Sequence, residues 1–238
     1  MKHLLLGLTI AMAIPAVAND DLDSIFALNQ SQFRLLAEDL GAALSYKPLT
    51  PAEPLGLVLG LDMGIEVTAT QIENKTELDI ATSGDAPSTL IVPKLHVHKG
   101  LPFGFDVGAL YSQVPDTNIT LWGAELRYAI VDGSTVMPAI GLRASFTTLE
   151  GVDQLDLETR SLDISVSKGF AIFTPYIGIG TVWITATPQN IPSLTEEDFK
   201  ETKVFGGLNV NLAILNLALE ADTTGEALSY GAKVGLRF

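Results

Sequence analysis

Beyond residue 54 the chain alternates. From Leu55 the odd positions run Leu55, Leu57, Leu59, Leu61, Met63, Ile65, Val67 and Ala69, and the even ones include Gly56, Gly60, Asp62, Gly64, Glu66 and Thr68. One face of such a segment is wholly apolar, which is the signature of a half-buried strand. Similar segments begin near Ser88, Pro102, Asn118, Thr135, Leu155, Phe170, Lys203, Ile214 and Glu226. The pattern predicts about ten strands. Residues 22–44 follow a different period: Leu22, Ile25, Phe26, Phe33, Leu36, Leu40 and Leu44 recur every three or four positions, with Asp21, Asp23 and Ser24 as candidate caps. That spacing predicts an amphipathic helix. Lys47-Pro48-Leu49-Thr50-Pro51-Ala52-Glu53-Pro54 then forbids helix and reads as a semi-rigid connector.

Most of the strand segments have the length a tilted strand needs to cross a bilayer. The connections Lys99-Gly100-Leu101, Asp132-Gly133-Ser134, Lys168-Gly169 and the stretch around Ala213 are short, and several of those between them are long and acidic. Short turns on one side and longer loops on the other fit an up-and-down transmembrane barrel, and an even strand number puts both chain ends on the short-turn side. The last segment alternates Leu228, Tyr230, Ala232, Val234, Leu236 and Phe238 with Ser229, Gly231, Lys233, Gly235 and Arg237. It resembles the closing strand of the Gram-negative outer-membrane β-barrel superfamily. The resemblance covers residues 55–238 as a pattern and implies that Tyr230, Leu236 and Phe238 form the signal read by the barrel-assembly machinery. It also implies outer-membrane lipid and lipopolysaccharide as surroundings. The predicted class is thus all-β: a transmembrane antiparallel barrel in the bacterial outer membrane, preceded by a short amphipathic helix.

Residues 1–18 have a basic start, an apolar stretch and the ending Ala16-Val17-Ala18, the build of a secretory signal peptide. The expected division is signal peptide 1–18, periplasmic helix and connector 19–54, and barrel 55–238. The chain has no cysteine, which excludes disulfides, thiolate metal sites and a lipidated anchor. A hydrophobic fraction of 47% coexists with 28 acidic residues, and mean hydropathy is +0.32. Without Lys2 the acids would face 13 basic residues, an imbalance that argues against nucleic acid as partner.

A lipid-facing barrel should sort its outward aromatics into two tiers. The topology assigns Tyr111, Trp122, Phe146, Trp183 and Tyr230 to the long-loop ends, and Phe103, Phe105, Tyr128, Phe173 and Phe238 to the short-turn ends. A soluble sandwich or lipocalin-like barrel alternates too, but has no reason to do this.

Facing inward are Asp62, Glu66, Asp106, Glu125, Asp163 and Glu220 against Lys94, Arg127, Arg143, Lys233 and Arg237, with His96 and His98. Such a set suits either a selective pore or a salt-bridged core; in a barrel this narrow the expectation is a largely filled lumen. Inward glycines, including Gly56, Gly60, Gly64, Gly123, Gly178 and Gly180, leave room for side chains or a plug. The helix has three possible seats: inside the barrel, across the periplasmic mouth, or on a periplasmic partner. Capping the mouth is the expectation.

Acidic loop residues (Glu73, Glu77, Asp79 and Asp85; Glu150 and Asp153; Glu196, Glu197, Asp198 and Glu201) provide solvation or hold the divalent cations that bridge lipopolysaccharide. Barrel enzymes such as the omptin proteases and lipid A-modifying acylases use a surface histidine. His96 and His98 lie near the opposite end and read as satisfied lumen residues, a pair without a third metal ligand. No catalytic residue and no cofactor or metal site is therefore expected, and the function predicted is a structural or interaction barrel of the envelope. The alternative is a small transporter or narrow channel for small polar or hydrophobic compounds, with Pro93, Pro138 and Pro175 loosening the wall by removing ladder donors.

Overall fold

The computed structural model describes residues 22–84, 86–113, 119–134 and 136–238. The expected signal peptide, the cap at Asp21, the loop acid Asp85 and the strand starts at Asn118 and Thr135 lie outside these residues. Ten antiparallel strands close into a single barrel, each paired with its neighbours in sequence and β1 with β10. They are β1 (Leu61–Gln71), β2 (Thr89–Gly100), β3 (Phe105–Gln113), β4 (Thr120–Val131), β5 (Ala139–Glu150), β6 (Leu155–Ser167), β7 (Phe173–Pro188), β8 (Glu197–Leu212), β9 (Leu215–Thr224) and β10 (Ala227–Arg237). No helix among the described residues is long and apolar enough to cross a membrane.

The alternation holds along the wall. Asp62 is buried and Met63 exposed, then Glu66 is buried between exposed Ile65 and half-buried Val67. The apolar face thus points out, the reverse of a water-soluble barrel. The seam is closed by nine register pairs from Asp62↔Arg237 to Thr70↔Ser229, and by Phe238 N–H donating to the Leu61 carbonyl at 2.8 Å.

Two boundaries differ from the sequence expectation. Residues 55–60 continue the apolar alternation but do not join the sheet, because Gly56, Leu59 and Gly60 all have positive φ and turn the chain below the rim. Gly60 and Gly100 pack so closely on the Gly56 carbonyl that a Cβ on either would stand about 2 Å from that oxygen (1.9 and 2.1 Å). β8 begins at Glu197 rather than near Lys203, so three acids expected in the fourth loop, Glu197, Asp198 and Glu201, belong to a long hairpin. Of the three prolines, Pro138 precedes β5. Pro175 lies in β7 beyond the last β6 pair, Ser167↔Tyr176.

The N-terminal segment is where the structure departs furthest from expectation. A 3₁₀ turn (Ile25–Ala27) precedes α1 (Gln30–Leu44), so the helix starts later than its apolar spacing suggests. Asn29 and Gln32 form a reciprocal capping box there, satisfying two backbone donors at once. α1 does not cover the short-turn mouth. Gln30 Nε2 donates to the Thr195 carbonyl at 3.0 Å in the β7–β8 loop. Asp39 accepts from Asn74 N–H at 2.7 Å in the β1–β2 loop. That loop also contains α2 (Lys75–Thr82), on which the 3₁₀ turn rests. α1 therefore enters at the long-loop end of the barrel. Its apolar residues Phe33, Leu36 and Leu40 are buried against Val92, Leu110, Leu121, Leu157, Val182 and Ile184 of the inner wall and against Ile191 and Leu194 of the overhanging loop. In this seat the stripe is buried by the barrel itself.

Small residues let the helix in. A Cβ on Gly41 would come within 2.6 Å of Ile184 Cδ1, and Ala42 and Ala43 follow it.

Because the chain lacks cysteine, single substitutions report its threading cleanly. Phe26→Cys, 64% exposed beside the β1–β2 loop, is expected to react with a membrane-impermeant maleimide on intact cells; Val58→Cys, 89% exposed below the opposite rim, should react only after permeabilisation. The reverse labelling would place the helix on the periplasmic side.

Candidate functional site

Below α1 the chain stays inside. Every residue from Asp39 to Ala52 is buried, and from Tyr46 onward the connector runs down the polar half of the lumen. Nothing there pairs with it as a ladder, so its backbone polar groups need other partners. Three wall cations supply them. Lys203 donates to the Tyr46 carbonyl at 3.0 Å, Arg143 to the Thr50 carbonyl at 3.4 Å and Arg127 to the Pro51 carbonyl at 2.8 Å. Ala52 N–H donates to Ser167 Oγ at 3.1 Å, and Leu55 N–H to Asp106 Oδ1 at 3.0 Å. Pro48, Pro51 and Pro54 carry no N–H, so a segment without a ladder has three fewer donors to satisfy. Wall glycines make room: a Cβ on Gly123 would stand 3.1 Å from the Tyr46 ring, one on Gly231 2.9 Å from Leu49 Cδ2, and one on Gly141 3.2 Å from the Ala52 carbonyl. Of the inward glycines, Gly178 and Gly180 instead admit Phe205 and Asp163 of the wall itself.

The structure joins most of the predicted lumen charges into compact groups. Asp62 Oδ2 accepts from Lys233 at 3.2 Å and from Arg237 Nε at 2.9 Å, and its Oδ1 lies 3.1 Å from His96 Nε2. Glu66 lies 3.1 Å from His96 Nδ1. Arg127 pairs with Asp106 at 2.6 Å. Arg143 lies 3.0 Å from Glu125 and 3.8 Å from Asp163, while Glu125 is also 3.2 Å from His98 Nε2. Glu220 accepts from the Tyr176 hydroxyl at 2.8 Å. Lys94 is buried on the register pair of Glu66.

Among the participants not in the predicted set are Lys47, Tyr46, Tyr176, Lys203 and Asp222. Lys47 reaches from the connector to Asp222 at 2.7 Å with both side chains almost wholly buried, and Lys203 meets Asp163 at 3.1 Å. Alternation alone places Lys203 and Asp222 on the inward face. Lys47 and Tyr46 carry no such signal, because a connector has no period. Among the described residues, adding Lys47, Lys203 and Asp222 to the predicted set gives seven carboxylates and seven permanent cations, with buried Asp39 above them at the loop end. Charge balance of this kind is what burial in a low-dielectric interior requires.

His96 and His98 lie deep in the barrel toward the short-turn end, each about 1% exposed at the side chain. They are remote from the long-loop surface. The acids of that surface are partly committed to their own loops. Asp79 accepts from Lys75 at 2.8 Å and from Ala86 N–H at 2.7 Å, and the lysine holds its carboxyl below the usual carboxylate range. Glu150 accepts from Trp122 Nε1 at 2.8 Å. Glu197 takes Arg34 of α1 at 3.6 Å. Glu73, Asp153 and Glu196 remain exposed.

The outward face carries the two aromatic tiers. Tyr111 pairs in register with Trp122, whose ring meets Phe146 edge-on at 5.6 Å, and Phe146 continues through Arg160 to Trp183. Toward the short-turn end Phe105 and Tyr128 stack 4.7 Å apart. Phe103 belongs to the turn below them rather than to a strand. Aromatic, arginine and lysine side chains at two heights with aliphatic residues between them are the marks of a surface immersed in a bilayer.

No protein-family model matches the chain, and no curated protein does. Among solved structures, the N-terminal β-barrel domain of Pseudomonas aeruginosa OprF aligns at 15% identity with a TM-score of 0.40, over 74% of this chain and 97% of that one. The KdgM porin aligns at 8% and 0.38 over 74% and 99%, and Neisserial surface protein A at 9% and 0.32 over 75% and 96%. Likeness at this level transfers no role. Its own apolar outer belt, aromatic tiers and closed ten-stranded sheet give the chain the build of a membrane-spanning antiparallel β-barrel.

Proposed function

We propose that this protein is a stoppered barrel, closed by its own N-terminal segment, that serves the outer membrane as a structural and surface-interaction component rather than as an open pore. The observation that carries this is the unbroken burial of residues 39–52. Contacts fasten the stopper at both ends: Gln30 and Asp39 to the surface loops, and Lys47, Thr50 and Ala52 to the wall. A stopper made only of apolar contacts would slide; one holding a buried ion pair leaves an unpaired charge behind when it moves. Outer-membrane lipid surrounds the belt, lipopolysaccharide meets the exposed acids through divalent cations, and the barrel-assembly machinery reads Tyr230, Leu236 and Phe238. No catalytic role and no cofactor is proposed.

A second reading, transport of small apolar compounds, has one observation in its favour. Among the described residues the β2–β3 ladder holds six pairs, from Leu95↔Tyr111 to Gly100↔Asp106. It stops two residues short of Pro93, beside the apolar outer half of the lumen that Val92 and Leu110 line. Pro93 has no N–H to give a ladder, and a wall short of a donor there is the natural place for lateral passage. Faster uptake of an apolar solute into vesicles carrying the protein, abolished by a disulfide across β2 and β3, would favour this reading.

The full chain from Asn19 is expected to be silent in planar bilayers, and a barrel lacking residues 19–54 to conduct. Steady conductance of the full chain would refute the stopper. Lys47→Met leaves Asp222 buried without its lysine and is expected to lose about 3–5 kcal/mol, read as a lower urea midpoint in lipid vesicles. Lys47→Met combined with Asp222→Leu should recover most of that loss.

A further inference from the structure

The two histidines acquire in three dimensions the partner that spacing along β2 did not reveal. Asp62 stands opposite His98 in the β1–β2 register, with Gly64 opposite His96. One ligand atom each from Asp62, His96 and His98 lies within 4.8 Å of the other two. We propose that these three residues form a binding site for a divalent transition-metal ion of the zinc class, clamping β1 to β2 near the short-turn end.

The strongest support is what stands behind each ring. Metal-bound imidazoles present one nitrogen to the ion and turn the other to a carboxylate or carbonyl that fixes the ring and raises its basicity. His96 has Glu66 3.1 Å from Nδ1, which leaves Nε2 toward Asp62. His98 has Glu125 3.2 Å and the Tyr46 hydroxyl 3.3 Å from Nε2, and its Nδ1 is buried without a hydrogen-bond partner. Each ring thus has a carboxylate beside one nitrogen, close enough to orient it.

One pair already stands at the spacing the ion needs. Ligand atoms about 2.1 Å from a tetrahedral zinc stand about 3.4 Å apart, and Asp62 Oδ1 and His96 Nε2 are separated by 3.1 Å. Lys233 and Arg237 bond to the other carboxylate oxygen, Oδ2, so Oδ1 is free of cations other than the imidazole. The rings also have reserved space, since a Cβ on Gly108 would fall 2.1 Å from His98 Cδ2, and one on Gly64 3.1 Å from His96 Cε1. Two imidazoles and one carboxylate select zinc-class ions over calcium or magnesium, which prefer all-oxygen sites. On binding, the ion replaces the proton shared between His96 Nε2 and Asp62 Oδ1, and that proton leaves to solvent. The site is independent of whether the lumen conducts.

Beyond His3 the chain contains only these two histidines, which makes the test specific. The untagged chain from Asn19, folded into vesicles in the presence of Zn²⁺ and washed free of excess ion, is expected to retain one zinc per chain and to unfold at a higher temperature than its chelator-treated form. His98→Gln and His96→Gln should each lose the zinc and the temperature shift. Zinc at background in the parent chain, or the same zinc content in His98→Gln, overturns the proposal; the second result would put the ion on the acidic loops. Cobalt provides a readout that needs no variant: the parent chain should show the visible absorption of a tetrahedral nitrogen-ligated ion, and a spectrum like that of hydrated cobalt refutes the site.

Discussion

A barrel whose outer face meets lipid has to hide its polar groups on the inside, and in this molecule the inside is narrow. Each inward carboxylate must find a cation within a few ångströms or bear the cost of an unpaired charge away from water. Much of the molecule follows from that requirement. Asp62 gathers Lys233 and Arg237 from β10 across the closing seam and His96 from β2 on its other side, so the charge pattern and the closure of the sheet reinforce each other. Arg127, Arg143 and Lys203 have donors left over after meeting their carboxylates, and these reach the carbonyls of the connector.

The lumen is layered as a result. Its short-turn half is ionic and holds an extended, proline-punctuated strand of chain; its long-loop half is apolar and holds a helix. The switch from one to the other occurs near Tyr46, whose hydroxyl lies 3.3 Å from His98 Nε2 at the edge of the charged layer. Helix and connector are thus matched to different chemistry along one axis. A helix satisfies its own backbone and tolerates an apolar surround. An extended segment needs donors and acceptors from the wall, and finds them only in the charged layer.

Lys47 and Asp222 meet inside a sheet that has no open edge. The glycines opposite Tyr46 and Leu49 lie on strands at different places around the ring, β4 and β10, so the wall makes room for the connector from more than one side.

The sequence by itself determined the barrel, because an outward apolar face and a period of two leave a mark at every second position regardless of what is inside. It determined the inward identity of Asp62, Glu66, Glu125, Arg127 and Arg143 for the same reason, and the outward aromatics with them. It did not determine the ends of the first and eighth strands, where alternation runs on past the sheet or begins before the expected start. It could not tell where α1 goes: an amphipathic stripe says that a helix needs an apolar partner, and the barrel interior, its mouth and another protein satisfy that equally well. Nor could it pair Lys47 with Asp222 or bring Asp62 to His96 and His98. Those contacts are set by strand register and by the threading of a non-periodic connector, both of which are decided only when the sheet closes in three dimensions.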